Sequence, residues 1–332
     1  LEEETENKGW TKFVEYKTFI MLVTILLLIF TVVILPIITF NFGTPPTDLQ
    51  VSILWIMSYW LAGVIAYCFL VGEVSRNNSQ VDKLWSVVPL FYVWYMTYLG
   101  NFTPRMVLMS FLVTVWGIRL TYNFARRGAY IWKFWAGEED YRWEELRKRK
   151  GFNNKFIWAL FNLFFISGYQ NVLIFLFTVP ILADLNSNSS QNLNSMDFLL
   201  ALLFIGAVVV EFIADQQQYD FQKEKHRRIQ LGLPLEAYAH GFVRTGLWGI
   251  VRHPNYAMEQ LIWVLFYFFS VSATGEWINW SVAGCILLII LFKGSSDFSE
   301  EISAKKYPEY KEYQRQVPRF VPFLKGIKKA NH

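Results

Sequence analysis

Apolar runs long enough to cross a bilayer recur along most of this 332-residue chain. They lie near 18–40, 51–72, 84–100, 104–124, 156–183 and 197–218, and a longer block covers 259–293. Roughly 20 apolar residues in a row suffice to span the hydrocarbon core. A backbone in lipid must satisfy its own polar groups, which helices do within a single segment. The expected fold is therefore all-α, a polytopic transmembrane helical bundle. The last block is interrupted by "ATGEWINW" (273–280) and reads as a helical hairpin. That gives about eight helices, or seven if the final block re-enters without crossing. With 54% hydrophobic and only 17% charged residues, the chain has no separate soluble domain.

Charge divides the loops into two classes. Segment 125–155 carries nine Lys and Arg, and segment 219–258 carries six. The opposite loops, "NFGTPPTDLQ", "NFTPR", "DLNSNSSQNLNSM" and "ATGEW", hold one Arg among them. Short loops rich in Lys and Arg stay on the cytoplasmic side of a membrane. Both termini and the basic loops are therefore expected to face the cytosol, or the matrix in a mitochondrial inner membrane, with the endoplasmic reticulum as the first expectation. Cys68 and Cys285 sit in apolar stretches and imply neither a disulfide framework nor a thiolate site. Four histidines without an HExxH or paired CxxC pattern give no metal site. The expected partners are the lipid bilayer, a small hydrophobic substrate and membrane-complex subunits, with no nucleic acid.

Charged residues within apolar spans are costly and mark cavities or pairs. Three polar segments stand out at the basic ends. In "GIRLTYNFARRGAY" (117–130), Arg119, Asn123 and Arg126 or Arg127 share a helix face. Arginine suits phosphate through its planar fork, and it equally serves as a topology-setting cap. In "EFIADQQQYDFQKEKHRR" (211–228), Glu211, Asp215 and Tyr219 follow at i, i+4 and i+8. These acids can hold a ribose or an amide, or simply pair with Arg119. In "GLWGIVRHPNYAMEQLIW" (246–263), Pro254 suits the first turn of a helix, so a helix is predicted to start near His253. Its free N–H groups, with Arg252, Asn255 and Glu259, would suit an anion and a carboxamide. His253 reads as a helix-start or interhelix hydrogen-bonding group ahead of a catalytic acid, and it stands among the residues expected to face the cofactor.

These strings resemble a known family. "GLWGIVRHPNYAMEQ", preceded by "ADQQQYDFQKEKHR" and followed by "YPEYKEYQRQVPRFVPF", is similar to the C-terminal domain of the steroid 5-alpha-reductase superfamily, in its branch with an RHPNYxGE-like motif. "VDKLWSVVP" (81–89) and "WGIRLTYNFARRG…EEDYRWEELR" (116–147) extend the likeness. The resemblance implies a reductase-like membrane domain over 81–323; the N-terminal segment 1–80, whose apolar runs give two membrane helices, lies partly outside the likeness, and 324–332 is a tail. The resemblance also implies NADPH as cofactor and reduction of a conjugated enone in a lipid or steroid-like substrate. Asn255 and Glu259 would then hold the nicotinamide carboxamide. Arg252, Arg126 and Arg127 would contact phosphates, Asp215 would take the ribose or adenosine half, and Tyr307 and Tyr310 would close over the cofactor. Met258 stands where the family has glycine, implying either a repacked contact or a narrowed pocket. The pair that polarises a steroid ketone has no counterpart, which leaves Tyr95, Tyr122 and Tyr256 as candidate proton donors. The alternatives are a non-catalytic membrane subunit of a larger complex and an isoprenylcysteine-type methyltransferase.

Overall fold

The computed structural model describes residues 26, 29–149, 151–186 and 192–322. Among these residues the chain is helical, with no strand. Six helices are long and apolar enough to cross a membrane. They are α2 (Asp48–Ser75), α4 (Pro104–Ala125), α5 (Lys155–Leu185), α6 (Ser195–Gln230), α7 (Pro254–Thr274) and α8 (Trp280–Lys306). Two shorter elements, α1 (Leu35–Phe42) and α3 (Val88–Leu99), complete the bundle, and α9 (Tyr310–Gln316) lies in the tail.

Local chemistry explains where these helices begin and end. Thr47 and Gln50 form a capping box at the start of α2, and Asn194 and Asp197 form another at α6. Each satisfies orphan N–H groups of a helical first turn. Pro104 and Pro254 open α4 and α7 in the position proline tolerates best. Gly275, with φ +75°, ends α7 in the left-handed cap that glycine adopts without steric cost. The hairpin expected over 259–293 is thus present, and both of its arms are full-length spans.

Two expectations change. Segment 84–100 is not one continuous span: a short helix, Gln80–Leu84, precedes α3, whose twelve residues begin beside Pro89. At 1.5 Å per residue such a helix reaches about 18 Å, well short of the roughly 30 Å core. The predicted span 18–40 falls largely outside the described residues; its described end, Phe30–Phe42, is helical. The C-terminal residues 324–332 also lie outside them.

The core runs through the middle of the bundle, where α6 packs along α7 and α4. Trp116, Trp263, Phe177 and Phe266 are almost fully buried there. The Trp263 ring centre lies 4.9 Å from Trp116 and 3.9 Å from Phe177. On the Asn192–Asp197 side of the bundle, Arg105 is wholly buried and paired with Asp184 and Asp197, its Nε 3.0 Å from Asp197 Oδ1. This cluster ties α4, the end of α5 and the start of α6 together. α5 widens into a π-helical stretch over Asn162–Tyr169, bringing Phe164, Phe165 and Tyr169 to the wall of a large cavity.

Candidate active-site cavity

The cavity holds about 1030 Å³, the upper end of small-molecule pockets. Its wall includes the aromatic side chains Trp85, Phe161, Phe164, Phe165, Tyr169 and Phe292. The same wall carries the polar side chains Asn123, Arg127, Glu211, Asp215, Gln218, Asn255 and Glu259. Several residues singled out in the sequence therefore meet at one place, although they come from α4, α6 and α7.

Behind these acids lies Arg119, which is buried and does not itself line the cavity. Its guanidinium lies 2.7 Å from Asp215, 3.0 Å from Glu211 and 3.6 Å from Glu259. All four side chains are buried. Glu259 is held from two further sides, accepting from Trp116 Nε1 at 2.8 Å and Trp263 Nε1 at 3.1 Å. Asp215 accepts from Asn255 Nδ2 at 3.3 Å. Pairing of Arg119 with the acids of α6 is one of the two arrangements their spacing allowed, and Glu259 is a third partner. Two buried oxygens on this wall have no hydrogen-bond partner, Glu211 Oε2 and Gln218 Oε1.

Arg252 touches the cavity wall, but its donors are engaged elsewhere. Nε and Nη2 meet Glu300 at 2.7 and 3.2 Å, and Nη1 meets the carbonyls of Gln314, at 2.9 Å, and Val317. His253 Nε2 also contacts Glu300, at 2.8 Å. Burial pushes the His253 imidazole below its ordinary value, outweighing the upward pull of Glu300. The backbone N–H groups of Arg252 and His253 donate to the carbonyls of Pro318 and Arg319. "RHPNY" thus clasps the tail, and four of the five N–H groups of Arg252 are committed to it and to Glu300, leaving one on Nη2. The α7 terminus is likewise partly closed, since Tyr256 N–H donates to Asn255 Oδ1 at 2.9 Å.

The other sequence candidates divide. Asn123 and Arg127 line the cavity, and Arg127 is exposed. Arg126 does not line it: it donates to Asn123 and Gln216 and lies 4.3 Å over the Tyr219 ring. Tyr256 and Tyr310 line the cavity; Tyr307 instead packs beside Gly241 and Phe242. Tyr95 is placed away from it, in an aromatic groove with Phe91, Trp94 and Tyr98. Tyr122 sits over half exposed on the outer face of α4. Neither of these two can reach a ligand in the cavity. Met258 packs against the core and is not on the cavity wall, so it does not narrow the pocket.

Sequence reasoning missed a second polar group on the wall: Asp82, Asp140, Tyr141 and Arg142. Arg142 donates to both Asp140 oxygens, at 2.9 and 2.8 Å. Burial alone would lift the Asp140 carboxyl, but Arg142 holds it below the usual range. Asp82 is pushed up by burial and then by the Asp140 charge. "EEDYR" offered charge without periodicity, and only the folding of this loop against 77–83 brings it to the cavity. There Asn78 N–H donates to Glu139 at 2.7 Å and Asp140 N–H to Ser79 at 2.9 Å.

The fold and cavity define a multi-span helical membrane protein with two polar groups and several aromatic side chains on the wall of one large cavity. The chain belongs to the family described as "protein of unknown function (DUF1295)", whose model matches residues 68–317. It is 33% identical over 298 residues to an uncharacterized protein of Schizosaccharomyces pombe, covering 86% of this chain and 83% of that one. No solved structure matches the chain.

Proposed function

We propose that the protein is a membrane-embedded, NADPH-dependent reductase of a conjugated enone in a lipid or steroid-like substrate. The observation that carries this reading is that one cavity of about 1030 Å³ is walled by both donor- and acceptor-rich side chains and a set of aromatic ones. A dinucleotide and a flat apolar substrate would meet within it. The steroid-reductase resemblance of "RHPNY" and its neighbours supports the same assignment.

The residues fit the cofactor unevenly. Asn255, Asp215 and the unpartnered Gln218 Oε1 suit the amide and hydroxyl donors of a nicotinamide riboside. Arg127 is the cation placed to meet a phosphate, while Arg252 and Glu259 act through the packing they maintain. NADPH, when bound, supplies the hydride; the protein orients the reactants and excludes water. The basic loops and the cavity mouth would face the cytosol in the endoplasmic reticulum, or the matrix in a mitochondrial inner membrane.

Titration of the purified protein in detergent with NADPH, followed by tryptophan fluorescence, tests this. Wild type should bind saturably, and Arg127→Ala should weaken binding about tenfold, which is the loss of roughly 1.4 kcal/mol of phosphate attraction. Arg127 is exposed, so its replacement leaves the fold intact. Absence of NADPH binding to the wild type would remove the reductase and leave the reading of a non-catalytic membrane subunit.

A further inference from the structure

We infer that Glu211 is the acid of this cavity: it shares a single proton with Glu259 and delivers that proton to the ligand. The catalytic half of this inference rests on the proposed reduction; the shared proton does not.

The argument follows the carboxyl oxygens one by one. Asp215 Oδ2 faces Arg119, and Oδ1 accepts from Asn255. Glu259 Oε1 accepts from Trp263; Oε2 accepts from Trp116 and faces Arg119. Both of these carboxyls are dressed entirely by donors, which is the environment of an ionised group. Glu211 Oε1 faces Arg119 at 3.0 Å, but Glu211 Oε2 has no donor at all. Its carboxyl and that of Glu259 face the same Arg119 nitrogen, Nη2, at 3.0 and 3.6 Å. Two buried carboxylates so placed do not both ionise, because like charges sharing one site disfavour the second charge. The groups facing Glu211 are Arg119 from α4, Asp215 from its own helix and Glu259 from α7, one cation against two other acids. A proton on Glu211 removes one of the two uncompensated charges and gives Oε2 the hydrogen that its surroundings lack.

Glu211 also lines the cavity, so a ligand can reach its proton. In an enone reduced by a dihydronicotinamide, the electron pair of the C=C bond is left on the carbon beside the carbonyl. The Glu211 O–H bond breaks, its electron pair stays on the carboxylate beside Arg119, and the proton forms the new C–H bond. Water at the cavity mouth restores the carboxyl proton.

Infrared difference spectroscopy on the full chain in detergent is the test. The wild type should show a protonated-carboxyl C=O band at neutral pH that shifts in D2O, and Glu211→Gln should abolish it. If Glu211→Gln does not fold, Glu211→Asp should move the band. A wild type without the band, or a band indifferent to both substitutions, overturns the proton assignment. With NADPH and a 3-oxo-4-ene steroid as probes, Glu211→Gln should lower turnover roughly 10²–10⁴-fold, the scale of general-acid catalysis, with NADPH affinity unchanged. A band that depends on Glu211 in a protein that never reduces the steroid refutes the catalytic role and the reductase reading, and leaves the shared proton standing.

Discussion

Glu300→Gln should release the C-terminal tail from the bundle. Glu300 is almost fully buried and accepts from Arg252 Nε at 2.7 Å, His253 Nε2 at 2.8 Å and Gln314 Nε2 at 2.8 Å, with Arg319 at 3.3 Å. Glutamine has nearly the same shape, but it keeps only one acceptor oxygen, carries no charge and turns an N–H group toward existing donors. Breaking a buried ion pair from one side costs about 3–5 kcal/mol. The tail contributes Tyr310 and Tyr313 to the cavity wall and is also tied by the backbone bonds from Arg252 and His253, by Arg252 Nη1 to the Gln314 and Val317 carbonyls, by Arg319 to Asp297 and by Tyr313 to the Trp248 carbonyl. Taking the lower figure, the population of the tail-open form should rise roughly 100-fold, since each 1.4 kcal/mol is a factor of ten. Hydrogen exchange followed by mass spectrometry in detergent reads this directly as local opening. Peptides covering 307–320 should exchange about 100-fold faster than in wild type, while those covering α4 should not change. Protection of the tail within threefold of wild type would refute the clasp.

Three further outcomes follow from other parts of the molecule. Arg105→Met should lower the thermal midpoint in detergent by the equivalent of about 3–5 kcal/mol, because Asp184 and Asp197 are left buried beside an apolar chain; adding Asp184→Asn and Asp197→Asn should recover much of the loss, and no recovery would contradict the pairing. The buried His253 imidazole is depressed below its ordinary value of about 6.5, so as pH falls the unfolded chain takes up this proton first. Its contribution is therefore complete above that value and is lost as pH drops through the window beneath it; His253→Gln should flatten the midpoint-against-pH curve there, and an unaltered slope would refute the assignment. Gly284→Ala places a methyl group on the backbone of Leu176 and Phe177 and should cost about 1–3 kcal/mol of overpacking, whereas an unchanged midpoint would show that α8 and α5 do not approach so closely.

What the sequence made legible was local. The apolar periods placed the long helices, Pro254 marked the start of α7, and the i, i+4 spacing put Glu211 and Asp215 on one face. What it left hidden was the choice of partner over long separations. Arg252 meets an acid 48 residues on, and Trp116 meets one 143 residues on. No spacing rule reaches so far, because the pairing is set by how α4, α7 and α8 pack. This changes how "RHPNY" should be read in this chain. Its Arg and His bind Glu300, and its backbone binds the tail, so the motif fastens the C-terminus over the cavity instead of presenting cations to a ligand. Arg252 and His253 reach the cavity wall with donors committed to Glu300, and Asn255 and Tyr256 line it beside them. The groups that bear most directly on chemistry are those whose hydrogen-bonding capacity is incomplete, Glu211 and Gln218 on α6. A substitution series meant to find the reaction should therefore start on α6, since changes at Arg252 would lower activity by loosening the tail whatever the reaction is.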